Sequence, residues 1–190
     1  MTIINHLNRS LFKFLIISFF IISCNSQRVA FVQEKENCLL IEADLTEFKI
    51  SSNNSELANS EFKNFFESVN KYDVLRYSGK GGEVDYRIDR WYYKTENIFF
   101  HIRILNGIKT STEIHLKESD IELLFEKLDS KSYSKVCSDC YDCANGIFMA
   151  KNEEKFFKYN YDGVFNSGLG DAEKERIIKA IDVLNFFSNQ

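Results

Sequence analysis

The chain has 190 residues, 44% hydrophobic, 27% charged and 15% aromatic, with 18 Phe and 9 Tyr. That is enough for one ordinary core, and it excludes disordered, fibrous and two-core readings. Twenty-four basic against 28 acidic side chains give a net charge of -4, which argues against nucleic acid as a partner. Proline is absent altogether, which removes folds that depend on a cis-proline and leaves the turns to glycine and asparagine.

Residues 1–23 have the layout of a secretory signal: the basic segment MTIINHLNRSLFK, the apolar run FLIISFFII from Phe14 to Ile22, then Ser23. The apolar run is far shorter than the ~20 residues that a spanning helix needs. The segment IISC, Ile21 to Cys24, resembles the lipobox of bacterial lipoproteins. That resemblance, confined to residues 1–24, implies a signal peptide cleaved after Ser23 and acyl chains (palmitate among them) on Cys24. Asn25 lacks the aspartate that favours inner-membrane retention, so the resemblance implies an outer-membrane anchor with the domain facing the periplasm. Loss of Arg9 and Lys13 with the signal leaves 22 basic against 28 acidic side chains, a charge of -6. Residues 24–36 then form the lipidated N-terminus and a polar tether, and residues 37–190 one domain.

Within that domain, NCLLIEADLTEFKI reads as a strand pair or one long strand ended by SSNNS. Asn53 with Glu56 forms a capping box for a first helix, whose apolar stripe is Leu57, Phe62, Phe65, Phe66 and Val69. SGKGG, Ser78 to Gly82, is a loop. The nine residues SGKGGEVDY that start at Ser78 resemble, with spacing off by two, the SGxGxxY loop of periplasmic lipoprotein lysozyme inhibitors, which are helix-poor barrels.

Three middle strands are legible by face. Ile98, Phe100, Ile102 and Ile104 alternate with Phe99, His101, Arg103 and Leu105; after Asn106-Gly107, Ile108, Thr110, Thr112, Ile114 and Leu116 alternate with Lys109, Ser111, Glu113, His115 and Lys117. Matching the apolar faces requires a three-residue loop that pairs Ile104 with Ile108. In the preceding strand the core-type residues Val84, Tyr86 and Ile88 change parity before Trp91 and Tyr93. A β-bulge at Asp89 and Arg90 repairs this, with Ile88 facing Ile102 and Trp91 facing Phe100.

Ser119 and Glu122 form a capping box for a second helix with Ile121, Leu124, Phe125 and Leu128 on one stripe. GIFMAK and KFFKYNY flank NEE as a hairpin, and DAEKERIIKAIDVLNFF is a final helix with Ile177, Ile178, Ile181 and Leu184 inward. A hairpin followed by a helix thus occurs twice.

Four cysteines besides Cys24, namely Cys38, Cys137, Cys140 and Cys143, imply two disulfides in an oxidising compartment, with three connectivities open. An iron-sulfur run would need a cysteine at Ile147 and a following proline. Zinc on the cluster plus Cys38 is chemically acceptable, but the overlapping CxxC pairs and the secreted setting favour disulfides. A thioredoxin-like site belongs early in a βαβ unit beside a cis-proline. No metal and no cofactor is expected.

The histidines His101 and His115 fall on polar strand faces, which are ordinarily solvated. The best binding patch is Asp89, Arg90, His101, Arg103 and Glu113, because the bulge aims charged side chains at the strand that carries His101. GxSxG, HExxH and a phosphate-cradling GxxxxGK[ST] are all missing.

The expected fold is an α+β domain: a mainly antiparallel sheet of hairpins with about three amphipathic helices packed on one side. The expected function is a non-catalytic binding module of a cell-envelope lipoprotein, of the inhibitor or immunity type, held to the membrane by its lipid and engaging an envelope protein. The alternatives are a periplasmic enzyme, hydrolase or thiol-redox, and a structural envelope lipoprotein.

Overall fold

The computed structural model describes residues 38–43, 56–80, 86–137, 144–163 and 165–190. In chain order the elements are β1 (Cys38–Glu42), α1 (Glu56–Glu67), β2 (Tyr72–Lys80), β3 (Tyr86–Thr95), β4 (Ile98–Leu105), β5 (Ile108–His115), α2 (Glu118–Glu126), β6 (Ser132–Cys137), β7 (Ala144–Asn152), β8 (Phe156–Asp162) and α3 (Asp171–Ser188). The eight strands make one sheet in the order β1-β6-β8-β7-β2-β3-β4-β5. Every neighbouring pair is antiparallel except β6–β8. The fold is therefore α+β, and its open, helix-bearing sheet differs from the helix-poor barrel implied by the SGKGGEVDY resemblance.

Helices cover both faces of the sheet, not one. On the first face, Val74, Trp91, Phe99, Phe148 and Tyr159 pack with Phe125 of α2 and with Ile177, Leu184 and Phe187 of α3. On the second, Leu75, Ile88, Ile104 and Met149 pack with Phe62 and Phe65 of α1. Strand alternation supplies both sets, as in Val74 against Leu75 or Phe148 against Met149, because side chains on a strand point to opposite faces in turn. Each fully buried Phe or Leu contributes roughly 1.5–3 kcal/mol. Both hairpin-helix units, β4–β5–α2 and β7–β8–α3, put their helix on the first face. In α3, Ile178 is exposed, and Val183 takes an inward position in its place.

Three local expectations give way. The β4–β5 hairpin closes on a two-residue turn that pairs Leu105 with Ile108, with Asn106 at φ 49° and Gly107 at φ 80°. Two successive left-handed residues suit the twist of a tight hairpin, and Asn-Gly is the pair that tolerates them. The apolar pattern of β5 yields to this turn because β5 is an edge strand exposed along nearly its whole length. Second, β3 runs without a bulge through Asp89 and Arg90; the irregularity lies between Tyr93 and Thr95. Ile88 therefore pairs with Ile104 and Trp91 with His101. The parity break in the sequence arises because Asp89 and Arg90 are both buried, on opposite faces. Third, α2 starts at Glu118 after Lys117 with no capping side chain from Ser119; Asn97 Oδ1 accepts the Glu118 N–H at 3.0 Å instead. Asn53 of the other expected capping box lies outside the described residues.

Cys38 and Cys137 sit opposite each other in the β1–β6 register and form a disulfide, Cα–Cα 4.1 Å. This is one of the pairings open to the sequence; Cys24, Cys140 and Cys143 lie outside the described residues. Among the described residues no helix is long and apolar enough to cross a membrane.

Candidate functional site

On the first face, beside the region where Phe187 of α3 packs on Trp91 and Phe99, the sheet carries a polar array. Arg76, Asp89 and Arg103 are cross-strand neighbours in one row, with Val74, Trp91 and His101 in the row on one side and Ser78, Arg87 and Leu105 on the other. The array is centred on the fully buried Asp89. Its Oδ1 accepts hydrogen bonds from His101 Nε2 at 3.0 Å and Arg103 Nε at 2.8 Å, and its Oδ2 accepts one from Arg87 Nε. Burial pushes the Asp89 carboxyl up, but the His101, Arg87 and Arg103 hydrogen bonds outweigh it and hold the group well below the usual carboxylate range. An ionised carboxylate can only accept, so His101 carries a proton on Nε2. The His101 ring lies flat on Trp91, centroids 4.8 Å apart and 12° between planes. His101 is thus held from two sides, with only 11% of its side chain exposed, and is no member of a solvated face.

The rim of this array is basic: Arg87 and Arg103 expose nearly half of their side chains. Beside Arg76 the packing is aromatic. The Tyr161 ring lies over Gly146, where a Cβ would meet ring atoms at 2.0 Å, so only glycine permits this packing. Burial raises the Tyr161 phenol, with the nearby Arg76 guanidinium acting against it. Arg76 Nε, Trp91 Nε1 and Tyr161 Oη are buried without a hydrogen-bond acceptor of normal geometry.

The expected patch is divided by the sheet. Asp89, His101 and Arg103 come together, whereas Arg90 points to the α1 face. There Arg90 Nε and Nη2 grip Asp73 at 3.0 and 2.7 Å, Nη1 reaches Glu61 at 3.2 Å, and Nη2 also donates to Asn64 O at 3.1 Å. Lys109 Nζ donates to the other oxygen of Glu61 at 2.6 Å, and Ser68 Oγ to Asp73 at 2.6 Å. Two cations balance two anions, so this network is an internal clamp that ties α1 to β2, β3 and β5. Glu113, opposite Phe100, lies on the α1 side as well and accepts from Lys94 Nζ at 3.0 Å.

Arg87, Arg76, Trp91 and Tyr161 are members that sequence reasoning missed. Strict alternation through β3 would have found Arg87 and Trp91 beside Asp89; the supposed bulge concealed them. A cleft of about 340 Å³ lies elsewhere, by Lys71, Glu122 and Lys155. Its lysines are occupied: Lys71 pairs with Glu118, and Lys155 Nζ donates to the α2 carbonyls of Phe125 and Glu126 at 3.1 and 2.6 Å. Among the described residues no His, Cys, Asp and Glu side chains are grouped so as to hold a metal ion. No protein-family model, curated protein or solved structure matches the chain.

Proposed function

We propose that the chain is a lipid-anchored cell-envelope protein whose domain is a non-catalytic binding module, of the inhibitor or immunity type, presenting the face around Asp89 to a partner in the envelope. One observation carries this reading: Asp89 is spent on His101, Arg87 and Arg103, which leaves two half-exposed guanidinium groups held in fixed positions on this face in place of a group poised to exchange protons. Guanidinium groups held in fixed positions are among the groups that protein-recognition surfaces concentrate. The lipobox-like IISC segment supports the anchor, and the Cys38–Cys137 disulfide agrees with an oxidising compartment.

The test is photocrosslinking in intact cells. A photoreactive side chain at Leu105, exposed and next to Arg87 on this face, is expected to capture one discrete envelope protein other than a second copy of this chain. The same group at Lys63, exposed on α1, is expected not to. Equal capture from both positions, or capture only of abundant non-specific proteins, overturns the reading.

A further inference from the structure

The sheet ends at β5, and among the described residues no strand lies along its outer edge. From Ile108 to Ile114 its sequence is IKTSTEI. About Ser111 this is self-complementary: Ile matches Ile, Lys matches Glu, and Thr matches Thr. The hairpin closes on the Leu105–Ile108 pair, so by the alternation of antiparallel ladders the backbone groups of Ile108, Thr110, Thr112 and Ile114 point to β4. Those of Lys109, Ser111 and Glu113 point outward. The Leu116 N–H donating to Asn97 O at 2.9 Å has the same parity. Edge strands are ordinarily blunted by proline, bulges or shortness. β5 has eight residues in unbroken register, and its charges there are of opposite sign.

We infer that β5 pairs antiparallel with the β5 of a second copy of this chain, about a two-fold axis at Ser111, joining two eight-stranded sheets edge to edge. This register sets Ile108 against Ile114, Lys109 against Glu113, Thr110 against Thr112 and Ser111 against itself. The backbone groups that meet are the outward ones. Centring on Lys109 or Glu113 would oppose like charges, and centring on Thr110 or Thr112 would take Glu113 away from Lys109. Lys109 already bonds Glu61 at 2.6 Å and Glu113 bonds Lys94 at 3.0 Å, on the same face. Pairing therefore makes a series of alternating sign: Glu61, Lys109, the second copy's Glu113, the second copy's Lys94. It also covers Ile108, 71% exposed in the single chain.

The inference is independent of the partner proposed above, and its test is separate. Sedimentation of the full-length chain is expected to show a concentration-dependent dimer. Glu113→Lys, which sets lysine against lysine twice, is expected to weaken it about tenfold or more. In a hydrogen-bonded antiparallel pair Cα atoms lie about 5.5 Å apart, within disulfide reach. Ser111→Cys is therefore expected to give a covalent dimer on mild oxidation that neither the unsubstituted chain nor Lys63→Cys gives; if Glu113→Lys does not fold, this result decides. A chain that stays monomeric without Ser111→Cys crosslinking, a dimer indifferent to Glu113→Lys, or a strand of another protein on β5 overturns the inference.

Discussion

Asp89 shows how one carboxylate organises its neighbours. Its solvent has been replaced by His101, Arg87 and Arg103, and the last two keep access to water. Because its folded-state pKa lies below the unfolded value of about 3.9, the unfolded chain binds the proton first as pH falls. The stabilisation is complete at neutral pH and is lost progressively below about pH 5. Urea midpoints measured from pH 7 to pH 3 are expected to fall more steeply for the natural chain than for Asp89→Asn, which starts lower; parallel curves would refute this role. Arg90, one residue on, faces the other way and forms a neutral cluster with Asp73, Glu61 and Lys109. Two adjacent, buried, oppositely charged residues serve two layers because consecutive strand positions belong to different faces. Sequence reasoning named Asp89, His101 and Arg103 as companions and failed on Arg90 and Glu113. Apolar pattern is a poor guide to parity where the buried side chains are charged.

At the scale of elements, turns and edges decide what pattern cannot. In the β4–β5 hairpin the intrinsic preference of Asn106-Gly107 overrides the alignment of apolar faces. A strand whose apolar face is not buried has little to lose by being read in the other register. β6 escaped sequence reading, although SYSKVC contains a buried Tyr133 and a buried Lys135 whose Nζ donates to Ser167 O at 3.0 Å. The short edge strand β1 is held to β6 by the Cys38–Cys137 bridge, which spans 99 positions. On chain-entropy grounds a loop of that size stabilises by about 4–5 kcal/mol. The double substitution Cys38→Ala, Cys137→Ala is expected to lower unfolding free energy by about 4 kcal/mol in urea, with the fold intact by circular dichroism. A loss under about 1 kcal/mol would mean that strand pairing alone holds β1.

For the whole molecule, the central strands β2, β3 and β7 are covered on both faces, which explains why their sequences give mixed alternation signals: both parities are buried, as in Val74 with Leu75 and Phe148 with Met149. Among the described residues, the basic-rimmed face around Asp89 and the outer edge of β5 are the surfaces on which the two proposals rest. The anchor is tested apart from both: with Cys24→Ala, a fatty-acid probe is expected not to label the protein, and unchanged labelling would remove the lipobox reading. The Cys38–Cys137 pairing comes from the structure, whereas composition and periodicity alone determine the α+β class, the three helices and the two hairpins each followed by a helix. These depend on local spacing and on the amount of apolar surface to be buried. Only the tertiary structure decides that α1 crosses to the opposite face, that Arg90 leaves Asp89, and that Trp91, Arg87 and Arg76 flank it on one face. Those outcomes depend on which face each strand turns to which layer, and a single shift of register reverses them all.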